Sequence, residues 1–445
     1  MTAEIAILNK TAVALAADSA VTISSGNAQL KTFDTADKLF ELSIDQPIGI
    51  MLYNGMSFMG IPLPALVKDF RDDCGSFETV EQAAESFLSY LNEVGLDSSE
   101  VLLNGATVAA VRPILEIISE RFEQRLLDRM IPSRESEEGE PPAASNDQVD
   151  ISVVAEEELE KIVSQFMSIW EIVDDAMFVG KSSPPNFSKK YKELTGEIID
   201  DVFHSPPEQI RDQILGLSRE VLRKGRLSSG KTGLVFCGFG EKEKFPTLLS
   251  FEIDGMVLGS LKYVQTNVCD IDREGTRASV IPFAQKDMVD RFVFGLDEGV
   301  QFEISNFCQQ IISEFTGAIL DQIPDPKEDL ANKIREAEEV FLSSLEEDAF
   351  QNIRSISRKE IDDMVEFMPK QEMARMAEAM IEITSLKRRV SKGFETVGGP
   401  IDVAVISKSE GFVWIKRKHY FPAEANARFF ERIRIGMNGQ KGEGS

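Results

Sequence analysis

The sequence predicts an α+β chain in which two sheets are sandwiched between helical layers and long helical blocks are inserted. Three observations lead there. Strand-like apolar runs open the chain, return near residue 231 and return again near residue 400. Stretches with helical apolar spacing fill both intervals. Strand groups so far apart would lack partners unless they join one core. With 445 residues, 42% of them hydrophobic, the chain has ample core material.

The first strands are EIAIL and TAVALAAD, meeting across Asn9-Lys10 in a tight hairpin. KLFELS and IGIMLYN follow, around a turn with Asp45 and Pro47. Their nearly continuous apolar character suggests strands buried on both faces. After Pro62 and Pro64 the spacing turns helical, from ALVKDFRDD through VVAEEELEKIVSQFMSIWEIV to about Gly230. Residues 132–150, PSRESEEGEPPAASNDQVD, have almost no apolar side chains and read as a disordered acidic loop. Strands return as TGLVFCGFG, TLLSFEIDG, MVLGSLKYVQ and RASVIPF, with turns at Gly and acidic residues. A helix is expected from Phe283, more helices to about Val390, then a final strand pair, IDVAVISKSEGFVWIKRK, turning at Ser409-Glu410-Gly411. The expected core is thus 1–63, 231–298 and 396–420, and the expected helical insertions are 64–230 and 299–395.

The formal net charge of −27 disfavours nucleic acid and anionic membranes as partners. Cys74, Cys237, Cys269 and Cys308 are widely spaced, so reduced thiols are expected rather than disulfides or a zinc site. No uninterrupted apolar run approaches the roughly 18 residues of a membrane span. Glu4, Asp18 and Asp34 argue against a signal peptide, leaving a cytoplasmic location as the expectation.

Familiar catalytic motifs are missing: no G-x-S-x-G, no Walker A, no H-E-x-x-H. The two histidines, His204 and His419, read as surface residues. A histidine-poor hydrolase needs another base, and an N-terminal threonine carries one. Its α-amino group has a reference pKa of about 7.7–8.0 and accepts a proton near neutral pH. Thr2 becomes such a residue if Met1 is removed, which its small side chain permits. A cation beside it, held by an acid, would favour loss of its hydroxyl proton. Asp18 and Lys38 are the candidates. With the hairpin turning at Asn9-Lys10, Asp18 ends the strand opposite the one that starts at Thr2. A turn-opening role for Asp18 in DSAVT is the plainer alternative.

TAEIAILNKTAVALAADSAVT, ADKLFELS and IGIMLYNG together resemble the start of proteasome-type N-terminal nucleophile (Ntn) hydrolases, the family of proteasome β subunits and bacterial proteasome-like peptidases. The spacing from Thr2 to Asp18 is similar to the family's. Lys38 comes a few residues later, after a longer loop around Ser24-Ser25-Gly26-Asn27. The blocks GLVFCGFGEKEKFPTLLSFEIDGMVLG and GGPIDVAVISKSEGFVWIK extend the likeness to about half of the chain. The resemblance implies an αββα Ntn-hydrolase sandwich and a threonine peptidase or amide hydrolase without cofactor or metal. By position, Thr2 would be the nucleophile and Asp18 and Lys38 its charge-relay partners. The Asn54-Gly55 turn would supply the oxyanion N–H, an effect of about 3–4 kcal/mol in comparable sites. Thr22 would bond the backbone of an extended substrate, and Ala20 and Met51 would line its pocket. Val397 stands where the family has a serine, Glu395 stands near its aspartate, and Ser279 is a candidate for a further serine. The resemblance also implies a peptide or protein substrate, a homo-oligomeric ring and an unfolding ATPase as partner. Two alternatives stay open: an inactive scaffold whose insertions bind partners, and an Ntn amidase acting on a small molecule.

Overall fold

The computed structural model describes residues 2–25, 28–130, 151–204, 206–323, 328–391, 397–419, 421–422, 424–428 and 430–431, a few of them by backbone alone. The expected loop at 132–150 and Glu395 lie outside the described residues.

The chain opens with β1 (Ala3–Asn9), β2 (Ala12–Ala17), β3 (Val21–Ser25), β4 (Ala28–Phe33), β5 (Leu39–Glu41), β6 (Ile48–Asn54), β7 (Ser57–Phe58) and β8 (Ile61–Pro62). Helices α1 (Leu63–Asp73), α2 (Val80–Leu96), α3 (Glu100–Met130) and α4 (Ile151–Glu171) precede a short β9 (Met177–Phe178), then α5 (Lys189–Phe203) and α6 (Glu208–Arg223). Next come β10 (Thr232–Gly238), β11 (Thr247–Val257), β12 (Ser260–Asp270) and β13 (Ala278–Ala284). They are followed by α7 (Asp287–Phe294), α8 (Glu298–Asp321), α9 (Glu328–Ser344), α10 (Gln351–Val365) and α11 (Lys370–Val390). The strands β14 (Asp402–Ser407) and β15 (Gly411–Lys416) end the sheet structure.

The chain is α+β with antiparallel pairing in both large sheets. One sheet has the order β13-β1-β2-β14-β15 and the other β5-β6-β10-β11-β12-β9. Each joins strands from distant parts of the sequence, as the interrupted strand pattern requires. The first hairpin turns where expected. Asn9 Oδ1 accepts from the Thr11 N–H and hydroxyl at 2.9 and 2.8 Å. The Asn9 amide donates to the Val365 and Met368 carbonyls at 3.0 Å each, tying the turn to the end of α10.

Alternation along β1 sorts its two faces. Ala3, Ile5 and Ile7 pack with Val289 and Val293 of α7 and Met373, Ala377 and Ile381 of α11. Ala6 and Leu8 point the other way, into a layer shared with Met51, Val235, Cys237 and Leu248 of the second sheet. The far face of that sheet, with Ile50, Leu234 and Phe236, is covered by Leu66 and Phe70 of α1 and Phe87 and Leu91 of α2. Parts of both segments read as insertions therefore belong to the core: α1 and α2 in one, α11 in the other. Helices α3 to α6 form a separate cluster around Val111, Leu115, Ile199 and Leu217.

Three expectations change. The strand turn read at Asp254-Gly255 is instead a register shift inside β11, and the chain reverses at Leu258-Gly259. Phe283, read as the start of a helix, is still in β13, paired with Glu4. Finally, Glu100–Arg129 is by length and composition the one described helix able to cross a membrane. Its run is interrupted by Arg112 and Glu116, which is why no unbroken apolar stretch shows it, and Val111, Leu115 and Ile118 on one side are buried.

Candidate active site

Thr2 immediately precedes β1, and its backbone carbonyl accepts from the Gln285 N–H at 3.0 Å, just past β13. The β1–β2 register pairs Glu4 with Ala17, so Asp18 falls beside Ala3. The contact is direct: Ala3 N–H donates to Asp18 Oδ1 at 3.1 Å, and Asp18 N–H donates to the Ala3 carbonyl at 3.1 Å.

Asp18 is surrounded by donors. Lys38 Nζ lies 2.5 Å from Oδ1, with both side chains fully buried. Ala20 N–H donates to Oδ2 at 3.3 Å and Gly398 N–H at 3.0 Å. The Gly398-Gly399 bend reaches Asp18 because Gly399 adopts φ +75° and sits 2.6 Å, measured from an added Cβ, from the Asp34 carbonyl. No other residue type fits there without displacing that backbone. Ser19 secures the same loop, its hydroxyl donating to the Pro400 carbonyl at 2.5 Å.

Lys38 precedes β5, and its carbonyl accepts from Leu52 N–H of β6 at 2.8 Å. The second sheet thereby delivers the cation that the first sheet's aspartate holds. Burial draws the Lys38 pKa below the usual lysine value; Asp18 first and Glu4 next oppose that, and Lys418 adds to it.

Glu4 was not foreseen as part of this group. It is 1% exposed and neither carboxylate oxygen has a partner. Burial pushes its carboxyl well above the usual carboxylate range, with Lys38 opposing and Asp18 reinforcing. Opposite it in register, Phe283 stacks on Tyr53 of β6 at 5.9 Å. The Tyr53 ring occupies the space above Gly233, where an added Cβ would lie 2.0 Å from it. Tyr53 O–H donates to Glu252 at 3.3 Å, and Lys231 pairs with Glu252 at 2.6 Å. Burial, with Glu252, holds the phenol above its ordinary pKa.

The structure thus brings Asp18 and Lys38 together beside Ala3, the neighbour of Thr2, with Glu4, Gln285 and Gly398 added; the Thr2 hydroxyl itself bonds to neither. Asn54 and Gly55 follow Tyr53 at this end of the sheets; Asn54 has φ +62°, and an added Cβ on Gly55 would meet Thr232 Oγ1 at 2.1 Å. Ala20 is buried beside Asp18, and Met51 is wholly inside the inter-sheet core rather than on a surface pocket. The Thr22 backbone pairs with Thr32; its side chain lies outside the described residues. Ser279 is not brought to the site. It pairs with Leu8, six residues along β1 from Thr2, roughly 20 Å at strand rise. Among the described residues no group of three or more His, Cys, Asp or Glu is placed to hold a metal ion.

A lone acid in an apolar strand carries little signal in sequence. The period of two along Thr2, Glu4, Ala6 and Leu8 was the available clue to Glu4. No protein-family model matches the chain, and no curated protein matches it significantly.

Proposed function

We propose that the chain is a proteasome-like threonine peptidase or amide hydrolase of the Ntn class, with Thr2 as nucleophile after Met1 is removed. The supporting observation is the fully buried Asp18–Lys38 pair held against the strand that Thr2 begins. On this reading Thr2 Oγ attacks the scissile carbonyl while the α-amine takes the hydroxyl proton. The Lys38 ammonium lowers the cost of the developing alkoxide, and Asp18 fixes Lys38 in place. A backbone N–H at Gly55 receives the oxyanion. The amine returns its proton to the leaving nitrogen, and water then releases the acyl group. Two facing antiparallel sheets with helices on their outer faces support the αββα Ntn sandwich. The same reading includes a peptide or protein substrate, a cytoplasmic homo-oligomer and supply of chains by an unfolding ATPase.

Intact mass of the purified chain should show loss of Met1, and Thr2→Ala should abolish turnover of a fluorogenic peptide while circular dichroism stays unchanged. Retained Met1, or turnover by Thr2→Ala, overturns the reading.

A second reading, an inactive scaffold, draws on α8. Phe302, Phe307 and Phe315 there are 63%, 64% and 65% exposed, as a partner-binding helix would present them. It prevails if the chain loses Met1 yet cleaves nothing.

A further inference from the structure

Four buried oxygens at the start of β1 have no hydrogen-bond donor: Thr2 Oγ1, both carboxylate oxygens of Glu4, and Gln285 Oε1. Orphaned buried acceptors are costly, because each has given up water without gaining a donor. Alternation places Thr2 and Glu4 on the inter-sheet face, with Ala6 and Leu8. Gln285 flanks Thr2 on the β13 side through its 3.0 Å backbone bond to the Thr2 carbonyl. A strand residue directs its N–H and C=O to the same neighbour, so the Thr2 nitrogen also faces Gln285.

None of the charged and titratable neighbours donates to these oxygens. Lys38 carries three N–H groups, but its hydrogen bond runs to Asp18 and none reaches these oxygens. Asp18 is itself an acceptor, occupied by Lys38, Ala3, Ala20 and Gly398. Tyr53 donates to Glu252. Lys418 is paired with Asp37 at 3.1 Å and with Asp402. The Gln285 amide donates to Asp287 at 2.8 Å, leaving only its oxygen. The cluster has surplus acceptors and a surplus carboxyl. Beyond the Lys38 ammonium, it lacks a second compact cation with several N–H groups.

We infer that Glu4 is the counter-charge and positioning residue for the α-ammonium group of Thr2, with Gln285 Oε1 accepting a further N–H. The inference rests on the proposed function, because the ammonium exists only once Met1 has left. A peptide N–H at Thr2 supplies a single donor and no charge; an ammonium supplies three donors and the missing charge. In the reaction, the Oγ–carbon bond forms as the carbonyl electron pair moves to its oxygen. The hydroxyl proton passes to the amine, and Glu4 stabilises the resulting ammonium. That proton then leaves with the departing nitrogen as the C–N bond breaks.

The test is the pH profile of kcat/KM for the Met1-processed chain and for Glu4→Gln, which keeps the shape and removes the charge. A carboxylate holds the proton on the amine, so its removal lets the amine deprotonate at lower pH. The acid limb should move down by about one pH unit, and Glu4→Asp should move it back. Gln285→Met, which loses one acceptor without touching β1, should shift the limb the same way by less and stands in if Glu4→Gln does not fold. An unmoved limb in a processed, active variant overturns the inference and leaves the proposed function standing. Retained Met1 in the parent chain overturns both. If the parent is processed but cleaves no peptide, the pH dependence of Thr2 acetylation by acetic anhydride, read by mass spectrometry, reports the amine pKa. The same downward shift in Glu4→Gln is expected there, and its absence overturns the inference.

Discussion

Lys38 and Asp18 are both fully buried, yet they do not depend on each other equally. Asp18 keeps three backbone donors if Lys38 is removed: Ala3, Ala20 and Gly398. Lys38 loses its one ion-pair partner if Asp18 is removed. Breaking a buried pair by stranding one charge costs about 3–5 kcal/mol. Asp18→Ala should therefore destabilise by roughly that amount, and Lys38→Met by distinctly less, because the thioether refills the space and the carboxylate stays bonded. Urea unfolding midpoints check the order; equal or reversed losses would refute it. On the proposed function both variants abolish turnover, so stability and activity separate in Lys38→Met. This part of the site was legible for unequal reasons. Hairpin arithmetic from Asn9-Lys10 sufficed to bring Asp18 beside the strand start. Lys38 was a candidate cation whose role rested on the resemblance, since no local pattern says which lysine crosses between sheets. Glu4 was passed over because its role needs the other sheet to bury it.

Two elements show how the surroundings are fixed. Lys262 of β12 is fully buried, donates to the Val221 carbonyl near the end of α6 at 3.1 Å, and lies 3.7 Å from Asp254. Burial pulls its pKa down, with Asp254 opposing. One side chain thus joins the α3–α6 cluster to the second sheet. Lys262→Ala leaves the buried Asp254 carboxylate with the Ser228 N–H alone and frees the end of α6, so a loss of up to about 3–5 kcal/mol is expected, with increased hydrogen exchange in α6; unchanged exchange there would sink this account. On α7, Asp290 is 5% exposed, and burial raises its carboxyl pKa to about 6, with Lys286 and Arg354 opposing. A raised folded-state pKa means that the unfolded chain releases the proton first. Asp290 therefore costs stability above about pH 6, and the cost fades as pH falls toward the ordinary carboxylate range. Asp290→Asn should raise Tm at pH 7.5, with the gain closing by pH 4; a gain independent of pH would refute the assignment. Element boundaries were harder to see than elements. Gly255, at φ +91° within the β11 register shift, has the same signature in sequence as a turn. Phe283 read as the start of a helix, yet β13, an edge strand that tolerates Pro282, runs on to Ala284.

At the scale of the molecule, strand content and its three-part distribution were legible, because burial on both faces leaves apolar runs that no helix period explains. What covers the outer faces was not, since α2 and α11 share the amphipathic pattern of helices that stand apart. Helix α8 is the extreme of that second kind. None of its residues is buried, and Ile304, Phe307, Ile311, Phe315 and Ile319 recur at three- and four-residue spacing along it, each at least about one third exposed. Side chains so exposed gain little from folding, because most of their apolar area stays in water. Phe307→Ser with Phe315→Ser should therefore leave Tm nearly unchanged, within the roughly 0.5 kcal/mol typical of surface changes at each position. A drop of several degrees would mean that these rings support the fold. Multi-angle light scattering on the same pair of proteins separates folding from assembly. If the homo-oligomer of the proposed function is held through α8, the variant's mass falls while its Tm holds. An unchanged oligomer mass would place the assembly contacts elsewhere, and a parent chain of monomer mass would remove oligomerisation from the proposal.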